Sequence, residues 1–334
     1  MNDLTSVLKD ITNEINLAKN IIIVSHENPD GDALGSSLAL CEYLKLKGKT
    51  VHIVYHNSPA FSLEFLPGAS EICLFADTDP EIFTKADLAI LVDVNSFNRI
   101  GTVAPAFSAM KCRKIMLDHH HNPDKMADLY AVDADASAAG EIIYRLITAD
   151  NPDYLNAVIA LDIYVAILTD TGGFRFGNTT SETHKIAADL LRFGIDTQAI
   201  YDHIYNSMPQ NIFVMLGMTF ASSRLYLDGQ LNIMTISRKD LINLKVFPED
   251  LNNFSEKSLM IEGTNVGILI TEMIKEDGFK MSFRSKGELD IRQVALTYGG
   301  GGHRNAAGAK AYNINIDTLI ADLVQKTRGL LKNV

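Results

Sequence analysis

Acidic and histidine side chains follow four apolar runs of the sequence, and residues of these types could bind metal ions. The stretch 26–32 (HENPDGD) comes directly after IIIVS, and Asp93 comes after LAILV. The stretch 118–121 (DHHH) follows KIML, and Asp170 ends the run VIALDIYVAILTD. Carboxylates mixed with imidazoles suit Mn(II), Zn(II) or Fe(II), and the absence of cysteine from these stretches argues against a structural zinc site.

The chemistry that this ligand set predicts is metal-assisted hydrolysis of a phosphoester. Asp93 ends an apolar run, where an acid is costly unless it is paired or bound to a cation. Asp30 and Asp32 are separated by one glycine, so each could serve one of two neighbouring ions. Two ions about 3.5–4 Å apart would activate water and clamp both the attacked phosphoryl group and its leaving oxygen. Mn(II) fits this set best.

Each of these residues also has a purely structural interpretation. An aspartate at the end of an element is often a helix N-cap, and this alternative applies to Asp32 and Asp170. Glu27 is expected to be a solvated loop residue, and His121 could simply face water. The occurrence of all four stretches at element ends of one predicted domain favours the metal site.

The elements that would position these residues form an α/β domain with a mostly parallel sheet. Over roughly the first 190 residues, short β-branched runs alternate with helical segments, as in a sheet with helices on both faces. The predicted strands are 21–25, 51–55, 88–94, 114–117 and 129–132, and the predicted helices are 33–47, 137–149, 155–168 and 181–193. Because ligands bind at the carboxyl ends of strands in such sheets, the four stretches are expected to converge.

The second half of the chain predicts a smaller α+β domain. Its strand candidates are 231–236, 266–270 and 280–283, and a terminal amphipathic helix begins at Ile316. The predicted organisation is a catalytic domain over 1–193, a helical linker over 194–218 and a substrate-binding domain over 219–334.

A glycine-rich turn in the second domain could bind an anion. Consecutive glycines let the backbone approach a ligand closely and present N–H groups to it, while His303 and Arg304 add directional donors. The predicted substrate-binding residues are Gly300, Gly301, Gly302, His303, Arg304 and, in the strand KMSFR, Arg284. A flexible glycine loop is the alternative, and Arg284 could instead face solvent. Phe174 and Phe176 could stack on a base, although at least one of them is expected in the core.

Composition limits the partners. A net charge of −11 disfavours a non-specific grip on long duplex DNA, so an anionic substrate must be met by local contacts. No apolar run reaches the about 18 residues of a membrane span. The N-terminal segment is amphipathic and unlike a signal peptide, and the three cysteines form no paired spacing, so we expect a cytoplasmic protein. A homodimer is left open, with apolar helices such as the N-terminal one as the candidate contact.

Taken in order, these motifs resemble the DHH phosphoesterase superfamily. HENPDGD, the lone aspartate of LVDVN, DHH at 118–120 and DTGGFRF from 170 are similar to its four ordered motifs. YGGGGHRNAAG from 298 and SFRS from 282 resemble the signature and the arginine strand of its C-terminal domain. The similarity spans nearly the whole chain, and the layout is most similar to the bifunctional oligoribonuclease and pAp phosphatase type.

The resemblance implies a role for each residue of the four motifs. His26 and Asp30 would hold one ion, Asp93 would bridge, and the other ion would be held by Asp32, His119 and Asp170. His120 would donate a hydrogen bond or a proton at the scissile phosphate, and Asp118 would orient the histidines. The implied cofactor is a pair of Mn²⁺ ions, with Mg²⁺ or Co²⁺ as alternatives. The implied substrates are short single-stranded RNA, cleaved to mononucleotides, and pAp, cleaved to AMP.

Other functions remain open within and outside this superfamily. A cyclic or linear dinucleotide phosphodiesterase would use the same metal ligands and the same glycine turn. A membrane-bound version is disfavoured because the sequence has no spanning segment, and a pyrophosphatase is disfavoured because a basic phosphate clamp is expected where the glycine turn stands. A non-catalytic nucleotide sensor is disfavoured by the intact acids at 30, 32, 93 and 170.

Overall fold

A computed structural model describes residues 4–251 and 253–331 of the chain. The chain divides into two compact units, with the boundary between Ser207 and Met208. Each unit has its own six-stranded sheet and its own apolar core. The predicted class, a parallel α/β domain followed by a smaller α+β domain, is confirmed.

The sheet of the first unit is parallel throughout. Its strands are β1 (Asn20–Val24), β2 (Thr50–Tyr55), β3 (Cys73–Leu74), β4 (Leu88–Val92), β5 (Arg113–Asp118) and β6 (Leu129–Val132). They lie in the order β3-β2-β1-β4-β5-β6. Strands β2 and β3 extend the sheet on one side of β1 and strands β4 to β6 extend it on the other, so the strand order reverses between β1 and β4. Such a reversal opens a crevice at the carboxyl ends of the two strands.

Helices cover both faces of this sheet. They are α1 (Leu4–Leu17), α2 (Gly31–Leu46), α3 (Glu81–Lys85), α4 (Ala104–Ala109), α5 (Ala139–Asp150), α6 (Ala157–Asp170), α7 (Ser181–Leu191) and α8 (Thr197–Tyr205). Alternate residues of β1 point to opposite faces, with Ile21 and Ile23 in one core and Ile22 and Val24 in the other. Helices α2 and α6 pack so closely that a Cβ on Gly35 would lie 2.3 Å from the Asp162 carbonyl oxygen.

The N-terminal helix is amphipathic as predicted, but its apolar face is not available for pairing two chains. Leu8, Ile11 and Ile15 of α1 are buried in the core of the first unit. The predicted strand 88–94 is also shorter than expected and ends at Val92, because Asp93 has a left-handed backbone (φ 53°) that leaves the sheet.

The second unit has a mixed sheet. Its strands are β7 (Arg224–Tyr226), β8 (Leu231–Ile236), β9 (Val266–Glu272), β10 (Gly278–Ser285), β11 (Gly301–Gly302) and β12 (Ala306–Tyr312), in the order β11-β12-β10-β9-β8-β7. Strands β8 and β9 are parallel and the other neighbours are antiparallel. Its helices are α9 (Gln210–Ala221), α10 (Arg238–Leu244), α11 (Phe254–Lys257), α12 (Arg292–Leu296) and α13 (Ile316–Leu331).

The segment 194–218, predicted as a linker, is helical but is shared between the units. Helix α8 packs in the first unit, where Ile200 is buried in the core. Helix α9 packs in the second, where Met215 is buried beside Leu241 of α10. Across the described residues, none of the helices combines the length and the apolar character needed to cross a bilayer.

Candidate metal centre

The four acid- and histidine-bearing stretches meet at the carboxyl edge of the first sheet. The loop after β1 delivers His26 and Asp30, and the residue after β4 is Asp93. The end of β5 delivers residues 118–120, and the last residue of α6 is Asp170. The crevice between β1 and β4 therefore brings together side chains that are far apart in the sequence, as predicted from the strand ends.

Two clusters of ligand atoms, joined by a third group, share this crevice. Within each, the nitrogen and oxygen atoms lie within 4.8 Å of one another. The first cluster consists of His26, Asp30 and Asp93, and the second of Asp32, His119 and Asp170. The third group, Asp93, His119 and His120, overlaps both. The Nε2 atom of His119 lies 3.6 Å from an oxygen of Asp32 and 3.6 Å from an oxygen of Asp170. The two clusters contain the sets that the family resemblance implied for two ions, and their role as metal ligands stays a prediction.

Asp93 lies between the clusters and faces both. Its Oδ2 is 3.3 Å from Nε2 of His26, and its Oδ1 is 3.4 Å from Nε2 of His119. The side chain is only 3% exposed, and Oδ1 has no hydrogen-bond partner among the described residues. A buried, unpaired carboxylate oxygen costs free energy, and a cation at this position would offset that cost.

The two histidines are held in the tautomer that a metal ligand needs. His26 donates its Nδ1 hydrogen to the carbonyl oxygen of Glu27 (2.8 Å), and His119 donates its own to Ala136 (3.3 Å). Each ring therefore directs Nε2 towards the acids, and this nitrogen becomes the ligand atom when a cation replaces its proton. Nε2 of His26 is buried without a hydrogen-bond partner in the described chain.

The charges of the crevice shift the pKa values of its groups. Burial by itself would lower the pKa of His26, but the carboxylates of Asp30 and Asp93 raise it to about 10. His119 is likewise raised to a pKa of about 10, against burial, chiefly by Asp93. Burial raises the pKa of Asp170 to about 6 and that of Asp32 well above its usual range, and the charge of Asp93 adds to both shifts. Protons therefore occupy a site whose donors suit a divalent cation.

The N-cap alternative is wrong for Asp170, and for Asp32 it holds at a different helix from the one that follows it, because α2 is capped two positions earlier. Asp30 caps α2 by accepting hydrogen bonds from the N–H groups of residues 32 and 33. Asp32 instead accepts from the N–H groups of Ala139 and Gly140 (2.7 and 3.1 Å) and thus caps α5 from a distance of 107 residues in sequence. Asp170 is the C-terminal residue of α6.

The turn before α5 organises the second cluster through residues that the sequence analysis missed. Its Ala136 carbonyl oxygen fixes His119, and its Ser137 carbonyl oxygen accepts a hydrogen bond from Asn178 (3.0 Å). The same amide of Asn178 donates to the backbone oxygen of Asp170. Buried Glu141 fixes the turn by accepting hydrogen bonds from the Ser137 hydroxyl (2.6 Å) and from the Thr183 hydroxyl (2.7 Å). No local sequence pattern marks these partners.

His120 belongs to a hydrogen-bonded chain at the edge of the centre. Asp118, which is fully buried, accepts the Nδ1 hydrogen of His120 at 2.8 Å, as the orienting role requires. On the other side of the ring, Nε2 accepts a hydrogen bond from Arg99 at 3.0 Å. Arg99 was not singled out from the sequence. His121 is exposed, and only its carbonyl oxygen has a recorded bond, from Asn95.

The glycine-rich turn forms a hairpin in which most N–H groups are already engaged. Gly299 and Gly300 donate to carbonyl oxygens of α12, and His303 donates to Ala306 at 2.7 Å. A Cβ on Gly300 would lie 2.1 Å from the Gly308 carbonyl oxygen, whereas one on Gly301 would meet nothing within 4 Å. The N–H groups of Gly299, Gly300 and His303 are therefore not free for an anion, and Gly300 serves close packing. The anion-binding role of Gly301 and Gly302 stays a prediction.

The side chains around this hairpin differ in how they are held. Arg304 is engaged by Glu288, through the carbonyl oxygen (2.7 Å) and the carboxylate (2.6 Å). Arg284 lies on the half-exposed face of β10 and donates to the Phe283 carbonyl oxygen. Among the described residues no carboxylate lies within 4 Å of its guanidinium. His303 is exposed, and Asn305 ties the loop 285–289 through its side-chain amide.

The two phenylalanines considered for base stacking lie in different surroundings. Phe174 is partly buried against the core and stacks on His184, with ring centroids 5.2 Å apart. Phe176 is 46% exposed, and the Arg175 guanidinium lies over its ring at 5.1 Å. Phe176 is therefore the one of the pair that presents a ring to solvent.

Comparison with known proteins adds to this geometry. Residues 20–167 match the model of the DHH family, N-terminal domain, and residues 234–332 match that of the DHHA1 domain. The bifunctional oligoribonuclease and PAP phosphatase NrnA of Thermus thermophilus is 31% identical over 308 residues, covering 92% of this chain and 89% of that protein.

The chain belongs to the DHH family.

Solved structures extend the similarity of this DHH protein to its fold. An exopolyphosphatase-related protein from Bacteroides fragilis superposes with a TM-score of 0.91 at 28% identity, covering 98% of both chains. RecJ of Thermus thermophilus in complex with Mn²⁺ has a TM-score of 0.54 at 14% identity, covering 97% of this chain and 54% of that one. The DHH match spans the loops that carry His26 to His120, and Asp170 lies three residues beyond its end.

Proposed function

We propose that this protein is a phosphoesterase that hydrolyses short oligoribonucleotides to mononucleotides and pAp to AMP with a two-metal centre. The observation that carries the proposal is the position of Asp93, whose two oxygens face two separate clusters of histidine and carboxylate ligands. Such a carboxylate suits a bridge between two ions. The similarity to the bifunctional oligoribonuclease and PAP phosphatase of Thermus thermophilus supports the choice of substrates.

In this proposal, His26 and Asp30 hold one ion, and Asp32, His119 and Asp170 hold the other. The orphaned Nε2 of His26 and Oδ1 of Asp93 fit a pair of cations, and the mixed donor set favours Mn²⁺ over Mg²⁺. Bound ions would supply a nucleophile from water and neutralise charge on the phosphate. Helix α5 and the turn before it hold Asp32 and His119, so the second ligand set is formed before substrate arrives.

Asp118 and His120, at the edge of the centre, are proposed to protonate or hydrogen-bond the leaving oxygen. Asp118 takes the Nδ1 hydrogen of His120 and thereby fixes the direction of Nε2. From that position, His120 donates a hydrogen bond or a proton to the oxygen that leaves the phosphorus. Aspartate and histidine in this arrangement are a recurrent acid–base pair.

The DHHA1 domain is proposed to bind the remainder of a short substrate. Arg284 offers a cation and exposed His303 a ring donor, whereas Arg304 is already engaged by Glu288. Binding through a few local groups suits a chain with a net charge of −11, which disfavours long duplex DNA. The free thiols of Cys41, Cys73 and Cys112 support a reducing compartment, and we propose the cytoplasm.

The test is a substrate panel with a controlled metal content. Protein stripped with EDTA is reconstituted with Mn²⁺ or Mg²⁺ and given 5′-labelled RNA dimers to decamers, pAp, cyclic dinucleotides and polyphosphate. We expect no turnover without metal, restoration by Mn²⁺ above Mg²⁺, and preference for the shortest RNAs and pAp. Faster cleavage of cyclic dinucleotides than of any RNA would replace the proposed substrate class, and turnover that survives EDTA would contradict the metal centre.

A further inference from the structure

Arg99 is a cation beside the metal centre that no part of the proposed mechanism yet uses. It ends a short 3₁₀ turn, Phe97–Arg99, that follows β4 and Asp93. Its Nη1 donates to Nε2 of His120 at 3.0 Å. The guanidinium therefore reaches the ring atom that the mechanism directs at the leaving group.

The backbone of Arg99 is fixed to the loop that carries the first ligand cluster. Its carbonyl oxygen accepts the N–H of Glu27, the neighbour of His26, and its own N–H donates to Ser96 at 3.1 Å. The turn that follows packs against the residue after β2, since a Cβ on Gly101 would lie 2.6 Å from the ring of His56. The Cα of Arg99 is thus held between two loops of the crevice, and the half-buried side chain spans from one to the other.

The charge of Arg99 is uncompensated, unlike that of three other arginines of the first unit. Arg113, Arg145 and Arg192 each have a carboxylate oxygen within 4 Å, from Glu14, Asp133 and Asp189 respectively. Within the described chain, no carboxylate comes that close to Arg99. A guanidinium has five donors in a planar fork, and one of those of Arg99 has a recorded acceptor. A cation with spare donors beside an acid-rich centre is suited to an anion that arrives with the substrate.

We propose that Arg99 is a catalytic residue that binds the non-bridging oxygens of the scissile phosphate. This inference rests on the proposed function and adds a residue to it. On substrate binding the guanidinium donors move from Nε2 of His120 to the non-bridging oxygens, which frees Nε2 to take up a proton and donate it to the leaving oxygen of the same phosphoryl group. The competing role, in which Arg99 only orients His120, predicts a different pattern of mutant effects.

A double-mutant cycle separates these roles. The variants are Arg99→Ala, Arg99→Lys, His120→Ala and the double variant Arg99→Ala with His120→Ala. Arg113→Ala, at the opposite end of β5, is the matched control. We expect Arg99→Ala to lower kcat/KM on an RNA dimer about 100-fold and Arg99→Lys to recover only part of it, because lysine lacks the planar fork. Removing Arg99 should still cost at least about 10-fold when His120 is already alanine.

Binding of inorganic phosphate to the Mn²⁺-loaded protein gives a second measurement that does not depend on turnover. Calorimetry should show a dissociation constant at least about 10-fold higher in Arg99→Ala than in the parent or Arg113→Ala, and millimolar guanidinium should restore part of the lost turnover. Unchanged phosphate binding, or no effect of Arg99→Ala in the His120→Ala background, would overturn the inference. If the parent cleaves no phosphoester but binds phosphate through Arg99, the proposed function fails and the inference stands.

Discussion

The metal centre of the first unit and the glycine hairpin of the second are built in opposite ways. The centre consists of side chains delivered by separate elements, and Asp32 and Asp93 are almost completely buried. The hairpin is made of exposed backbone whose N–H groups mostly bond within the unit. The centre therefore contains buried charge that a ligand would neutralise, whereas the hairpin is held by close packing. Substitutions in the centre should therefore lower turnover or metal binding. Substitutions in the hairpin should instead lower stability or substrate affinity.

The largest effect is expected at Asp93. Asp93→Asn retains a residue that tolerates the left-handed backbone at this position, so the fold should survive while the bridge is lost. We expect turnover of an RNA dimer to fall by about a thousand-fold or more, with the circular dichroism spectrum unchanged. Substantial remaining turnover would show that Asp93 does not bridge two ions.

The organising amides of the two units provide a matched pair. Asn178→Ala removes the link between the Ser137 turn and Asp170 and should weaken Mn²⁺ binding about 10–100-fold. Asn305→Ala frees the loop 285–289 of the second unit and should leave Mn²⁺ affinity unchanged while raising KM for dinucleotides. Metal titration followed by calorimetry checks both variants. If the two variants weakened Mn²⁺ binding equally, the proposal that the first unit binds metal and the second binds substrate would be wrong.

Two of the arginines of the second unit, Arg284 and Arg304, test its proposed binding role. Arg284→Ala should raise KM for an RNA dimer about 10-fold and leave hydrolysis of a generic aryl phosphodiester unchanged, because the charge it removes has no carboxylate partner in the described structure. Arg304→Ala should have a smaller effect on KM, since its guanidinium is held by Glu288. A larger loss at Arg304 than at Arg284 would reverse this assignment.

The glycines of the hairpin should separate packing from binding. Gly300→Ala places a methyl group against the Gly308 carbonyl oxygen and should lower the free energy of unfolding by about 1–3 kcal/mol. Gly301→Ala enters open space at an ordinary φ and should change it by less than about 0.5 kcal/mol. Urea melts measure both. A large loss at Gly301 would indicate a contact with a ligand or with another part of the protein.

Asp162, a buried acid outside the centre, shows how burial raises the pKa of a carboxyl group. Asp162 of α6 is fully buried, has no hydrogen-bond partner for either oxygen within the described chain, and has a pKa raised well above its usual range by burial and by Glu42. A folded pKa above the unfolded one means that stability is lost as pH rises through the unfolded value, by up to ~1.4 kcal/mol per pH unit until the folded value is reached. Asp162→Asn should make the fall of stability with pH shallower and leave the part due to Asp32, Asp170 and the two histidines, and urea melts from pH 5 to 8 would show it. An unchanged slope would assign it to another group.

The first sheet and the ligand residues were predictable because strong local patterns mark them. Apolar β-branched runs predict the strands, and polar residues at the strand ends predict where ligands converge. Strand β12 was missed because its residues, AAGAKAY, have low β propensity and form a strand only by pairing with β10. Arg99, Asn178 and the capping of α5 by Asp32 depend on contacts between distant segments, and no periodicity or motif records such contacts.

Asp30 and Asp32 each cap a helix as well as belonging to the centre, and this affects which residues would be lost if the protein lost its activity in evolution. Asp30 begins α2 and Asp32 begins α5, so selection for folding alone would retain both after hydrolysis had ceased to matter. The Asp93 carboxylate caps no helix within the described chain, and its neighbours are the histidines and acids of the centre itself, so folding alone would not retain it. In a descendant that had become a mere binder of nucleotides, position 93 should change first, which makes it the more informative position when a related sequence is judged.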